Sequence, residues 1–202
     1  MRNRPAAQAA PTWDNWIVKL LVAALASELS AFPAEVPGFD RLVTGPGKLQ
    51  ATYALTRALD AARYDEIVVV GTAGAIDHDL EATAHEVGSA LQHDVTDFDG
   101  VLGQHISLPA RVHTGHDGLL IATGDHFVSD AEVTAVIRPT GAALVDMETY
   151  AYIWVAEKFG LPIRVFRAVS DRAEDGALND FTAALARCSA QLWARVQDEY
   201  GV

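Results

Sequence analysis

The chain has 202 residues, half of them hydrophobic and 21% charged, which excludes a disordered chain and suits one domain around a large core. A formal charge of −12 speaks against a nucleic-acid partner, because a phosphate backbone asks for clustered Lys and Arg. The single cysteine, Cys188, cannot close an intramolecular disulfide, and no run reaches the ~18 apolar residues of a membrane span. A cytoplasmic protein that binds no membrane and takes a neutral small molecule is therefore expected.

Residues 1–15 (MRNRPAAQAAPTWDN) have no periodicity and read as a flexible tail ahead of an α/β domain over 16–202. Arg2 and Arg4 before the apolar run Ile17 to Ala26 look superficially like a signal peptide. Lys19 interrupts that run, however, and Ile17 to Ala24 reads better as a first buried strand. Arg41 to Thr44 reads as a second strand, ended by Gly45-Pro46-Gly47. From Lys48 to Ala62, Leu49, Ala51, Ala54, Leu55, Ala58, Leu59 and Ala62 recur at helical spacing. Ile67 to Val70 is apolar throughout, as a strand covered on both faces should be, and stops at Gly71-Thr72-Ala73-Gly74.

Residues 77–117, rich in His, Asp and Gly, read as loops and short strands. Leu119 to Thr123 is the next strand, followed by Gly124-Asp125, and Ala142 to Val145 another, followed by Asp146-Met147-Glu148. A helix over Thr149 to Phe159 is stopped by Gly160, with Pro162 just beyond. Ile163 to Val169 forms the last strand and leads into Ser170-Asp171. A final helix over Asp180 to Glu199 turns Phe181, Leu185, Cys188, Leu192 and Val196 inward. Strands alternating with helices imply a single-domain, three-layer α/β/α fold with a central mixed, mainly parallel sheet. In such sheets ligands sit at the carboxyl ends of the strands.

Four polar clusters fall just after apolar runs: Glu28, Gly71 to Gly74, Asp146 to Glu148, and Ser170-Asp171. Singly, each has an ordinary explanation. A carboxylate after a strand often caps the next helix, and small residues let a strand end in a tight turn. Together they would bring three carboxylates to one edge of one sheet, the equipment for cleaving a glycosidic bond. His113 and His116 have H-x-x-H spacing, but Gly115 between them argues for a turn rather than a metal-binding helix face.

The segments LLVAALASEL, TGPGKLQA, VVVGTAGAI, HDVTDF, IATGDHFV, LVDMETYAYIWVAEKFGLP and VFRAVSD resemble the nucleoside phosphorylase and nucleosidase superfamily. Within it the likeness is closest to the 5'-methylthioadenosine/S-adenosylhomocysteine nucleosidases. It runs from about Ile17 to Phe181, and the pairing of V-D-M-E with R-A-V-S-D is its most specific part. The resemblance implies a nucleoside substrate, no cofactor, no metal and a homodimer. It implies that Asp171 is the general acid toward the purine N7, with Ser170 orienting it. Glu148 and the Met147 backbone would hold the ribose hydroxyls, and Arg167 would pair with Glu148 and keep it ionised. Phe127 would stack on the base, the Val128 backbone would bond to it, Thr72, Ala73 and Gly74 would line the pocket, and Glu28 would position water.

Phosphorylases of this superfamily hold phosphate with an Arg shortly before the strand-end Gly-Thr and another after the first strand. Here Ile67 to Val70 precede Gly71, and Ala26-Ser27-Glu28 follow the first strand, so water is the expected nucleophile. Two departures stand out. Only 16 residues separate Glu28 from Gly45, so the hairpin that helps build pocket and dimer in the family is largely missing. Ala75 also replaces the last glycine of the usual G-S-A-G-G turn. Futalosine hydrolases share the core motifs, which leaves the base and the 5' group open.

Overall fold

A computed structural model describes residues 18–174 and 176–202; the expected tail and Ile17 lie outside the described residues. In chain order the elements are β1 (Lys19–Ala23), a 3-10 helix (Ala26–Leu29), β2 (Phe39–Val43), α1 (Lys48–Ala61), β3 (Glu66–Ala75) and β4 (Ala84–Gln92). There follow β5 (Arg111–His113), β6 (Leu119–Thr123), α2 (Ala131–Ile137), β7 (Leu144–Asp146), α3 (Thr149–Phe159), β8 (Ile163–Asp171) and α4 (Ala177–Tyr200).

The apolar run of β3 explains the layering. Successive strand residues point to opposite faces, so Ile67 and Val69 pack with Leu55 of α1 and Ile153 of α3, while Val68 and Val70 pack with Cys188, Leu192 and Val196 of α4. Both faces are thus covered, and each fully buried aliphatic side chain contributes about 1.5–3 kcal/mol. No helix among the described residues is long and apolar enough to cross a membrane.

The sheet is mixed. β1 pairs in parallel with β2 and β3, β3 with β8, β4 with β6, and β6 with β7. The pairs β3–β7, β4–β5 and β4–β8 are antiparallel. Because β8 joins both β3 and β4, pairing runs round a closed circuit, β3–β8–β4–β6–β7 and back to β3.

This closure corrects the idea of clusters lined up along one parallel edge. β7 approaches β3 head-on, with Gly74 opposite Val145, so Asp146 to Glu148 arrive at the end of β3 from the opposite direction. Four further expectations shift. β2 begins and ends slightly earlier than its apolar core suggests. β3 does not stop at Gly71 but runs on to Ala75, with its register shifting after Ala73. Residues 77–117 contain the nine-residue β4, which pairs on both sides. α2 has no signal in the periodicity, although Asp130 caps it by accepting the N–H groups of Glu132 and Val133.

Candidate active site

The glycines of β3 serve close packing, not a turn. A Cβ on Gly71 would lie 1.9 Å from Arg167 Nη1 and 3.1 Å from Glu28 Oε1; one on Gly74 would lie 2.9 Å from Asp171 Oδ1. Glycine therefore lets β8 and the 3-10 helix press their polar side chains against the strand. The result is a cavity of about 90 Å³ lined by Glu28, Thr72 to Gly74, Phe127, Asp146 to Glu148, Ser170, Asp171 and Phe181. A contiguous recess adds His126 and Val128. A larger cleft of about 370 Å³ lies elsewhere, around Asp77, His78 and Arg138, and contains none of the clusters from the strand ends.

At one end of the cavity lies Arg167, fully buried. Its Nη2 donates to Asp146 Oδ2 at 2.6 Å and to Thr149 Oγ1 at 2.8 Å, and its Nε donates to Thr149 Oγ1 at 3.0 Å. Glu148 Oε2 stands off at 3.8 Å. The expected Arg167–Glu148 pair is present but loose, and Asp146, which sequence reasoning does not pair with Arg167, is the closer partner. Asp146 wins because it also accepts Thr123 Oγ1 at 2.7 Å, Thr149 N at 2.9 Å and Thr149 Oγ1 at 2.6 Å. In doing so it satisfies the first N–H of α3, although Glu148, not Asp146, stands at the cap position.

Among the described residues Glu148 itself accepts one hydrogen bond, from Gly47 N at 2.8 Å. Burial, and then the charge of Asp146, push its carboxyl up to about 8 against the pull of Arg167. Burial and Asp146 thus act against the expectation that Arg167 keeps Glu148 ionised. Glu28 is held firmly: Oε1 accepts Thr72 N at 2.7 Å and Thr72 Oγ1 at 2.8 Å, and Oε2 accepts Leu25 N at 2.9 Å. Arg167 Nη1 is buried and has no partner among the described residues, and it points over Gly71 toward the same place as Glu28.

At the other end Asp171 ends β8. Its Oδ2 accepts Ser170 Oγ at 2.7 Å and its Oδ1 accepts Ala173 N at 2.9 Å. Burial raises its carboxyl above the ordinary range, outweighing those two hydrogen bonds. Phe127 and Phe181 meet edge-on, with ring centroids 5.8 Å apart. Phe127 is 38% exposed, so its ring is accessible from outside.

Every residue singled out from sequence for the site thus lines or braces this one cavity, with Arg167 behind it. His113 and His116 are exposed, on a strand end and a turn respectively. Sequence reasoning places Asp146 in a polar cluster without giving it a role, and it misses Gly47 and the recess residue His126. Asp146 stands within the V-D-M-E segment, just ahead of Thr149, whose N–H it accepts.

Residues 85–197 match the model of a family described as the phosphorylase superfamily. A 5'-methylthioadenosine/S-adenosylhomocysteine nucleosidase of Bacillus licheniformis is 34% identical over 155 residues, covering 65% of this chain and 67% of that protein. One of Geobacillus kaustophilus is 33% identical over 177 residues, covering 75% of each. Among solved structures, a Helicobacter pylori 5'-methylthioadenosine/S-adenosylhomocysteine nucleosidase complex superposes with a TM-score of 0.80 at 22% identity, covering 90% of this chain and 97% of that one. The native futalosine hydrolase of Helicobacter pylori gives 0.82 at 22% identity, covering 91% and 99%. At that identity the two structures speak for the fold, while the sequence matches carry the assignment: this chain belongs to the phosphorylase superfamily.

Proposed function

We propose that this chain hydrolyses the N-glycosidic bond of a purine-type nucleoside related to methylthioadenosine or adenosylhomocysteine, with water as the nucleophile and no metal. The observation that carries this reading is one site that joins Asp171, a carboxyl whose hold on a proton burial strengthens, to a polar cluster built on Glu28 and Arg167. Asp171 gives its proton to N7 as the bond from C1' to N9 breaks, so the base leaves neutral. Ser170 fixes the acid, Phe127 stacks on the base, and the Val128 backbone bonds its edge.

Positive charge then develops on the ribosyl ring, where the carboxylates of the polar end stabilise it. Water bonded between Glu28 and the free Nη1 of Arg167 attacks C1' and passes a proton to Glu28. Glu148 and the Met147 backbone hold the 2'-hydroxyl, and Thr72, Ala73 and Gly74 form the wall. An incoming phosphate would meet Glu28, Asp146 and Glu148 around a guanidinium already taken by Asp146, which supports water over phosphate. The proton and the compensating charge come from side chains, so activity should survive a chelator.

The names of the sequence relatives support the substrate class. The test is release of free base from methylthioadenosine, adenosylhomocysteine, adenosine, inosine and futalosine. Release from the thioether nucleosides is expected; no release from any of the five contradicts the assignment. We also propose a cytoplasmic homodimer. Support comes from the exposed Leu49 and Tyr53 of α1 and the exposed Phe98 and Ile106, large apolar side chains suited to a partner. Light scattering at the mass of one chain would refute it.

A further inference from the structure

Three carboxyl groups, from Glu28, Asp146 and Glu148, surround the guanidinium of Arg167. They differ sharply in what holds them. Among the described residues Asp146 collects four donors, Glu28 three and Glu148 only the N–H of Gly47. One cation cannot balance three buried anions, so a proton on the cluster settles where the fewest donors compete with it. The geometry points to Asp146 as a positioning residue for the reaction proposed above: by claiming Arg167, it leaves Glu148 as the carboxyl that enters the cycle protonated. Glu148 then meets the ribose as a hydrogen-bond donor as well as an acceptor, and can serve two neighbouring hydroxyls with opposite polarity.

The surroundings of Glu148 agree. From β8 it faces Arg167, from β7 Asp146, from the 3-10 helix Glu28, and from the loop before α1 the N–H of Gly47. From α3 it faces Tyr152, whose hydroxyl is 2.6 Å from Thr44 Oγ1 and whose ionisation burial suppresses. His93, beside Asp146, is pushed down by burial and adds no competing cation at neutral pH. Nothing else in this shell competes for the proton among the described residues.

The experiment follows the Glu148 carboxyl directly, by carbon-13 NMR of protein labelled at glutamate carboxyl carbons, with Glu148→Gln identifying the resonance. A midpoint near 8 is expected in the unaltered protein. In Asp146→Asn, Arg167 is free to turn to Glu148, and the midpoint should fall by about one pH unit or more, a tenfold or larger loss of proton affinity. The methylthioadenosine KM at neutral pH should rise about tenfold, with kcat changed less. Asp146→Glu keeps the charge and should restore both.

Should Asp146→Asn fail to fold, Thr149→Val removes the hydroxyl that accepts Arg167 Nε and Nη2 beside Asp146, so the guanidinium can turn toward Glu148; the same shift is expected, in a smaller step. A wild-type midpoint in the ordinary glutamate range, or one unmoved in the variant that folds, overturns the proposal. The inference rests on the nucleosidase reading only for the ribose. A protein that cleaves no nucleoside yet shows the shifted midpoint would fail that reading and leave the protonation assignment standing.

Discussion

Around Arg167, three carboxyl groups compete for one guanidinium and for a dense set of hydroxyl and amide donors. Around Asp171, a single carboxyl has two donors and no cation in bonding contact among the described residues. Carboxylates of both regions line one cavity, and both meet β3, whose Gly71 and Gly74 let each set of side chains close on it. The difference separates two tasks. A crowded, cross-braced end fixes charge in place, and a sparse end keeps a proton that can leave.

The largest expected effect breaks the sparse end. Asp171→Asn removes the transferable proton but keeps the shape, and kcat should fall by about 10²–10⁴ with the melting temperature nearly unchanged. A variant with near-normal turnover would move the acid elsewhere. Breaking the crowded end should appear as stability instead. Arg167→Met leaves Asp146 buried without its partner and should cost about 3–5 kcal/mol in denaturant unfolding. Stability equal to the parent would show that the carboxylates do not depend on it.

A finer probe is Gly71→Ala. The added methyl would lie 1.9 Å from Arg167 Nη1, so the guanidinium must shift. About 1–3 kcal/mol of destabilisation is expected, with activity lost in proportion to that shift. The smallest effect sharpens the comparison through pH. Glu148 takes up its proton far more readily in the fold, near 8, than at its ordinary value of 4.5. Its contribution is therefore fully present below about pH 4.5 and is lost as pH rises through 8, and Asp171 acts in the same direction. Melting temperature should decline across that window, and Glu148→Gln should flatten the decline.

The sequence makes the sparse end easier to read than the crowded one. Asp171 follows a strand whose Val165, Phe166, Ala168 and Val169 are apolar, with Arg164 and Arg167 among them, and the Ser-Asp pair after Val169 marks the strand end. The Arg167 partnership is harder, because V-D-M-E offers two carboxylates two residues apart and strand alternation does not say which meets the guanidinium. Asp146 prevails through Thr123, a residue 23 positions earlier, and this long-range donor carries no local signal. The helices α1, α3 and α4 are visible in their spacing and stop signals. β4 is hidden because its outer residues, Ala84 to Glu86, pair with β8 and are only half-buried, which blurs the apolar pattern. β3 reads as ending at Gly71 because a glycine pair usually marks a turn; here each glycine marks a side chain of β8 pressed against the strand.

The measurement that tests the central claim most directly is the sugar product from methylthioadenosine, chromatographed after turnover with and without inorganic phosphate. Hydrolysis through the Glu28 end predicts free methylthioribose at the same rate in both conditions, and no sugar phosphate. Base release that requires phosphate, with methylthioribose 1-phosphate as the product, would contradict it.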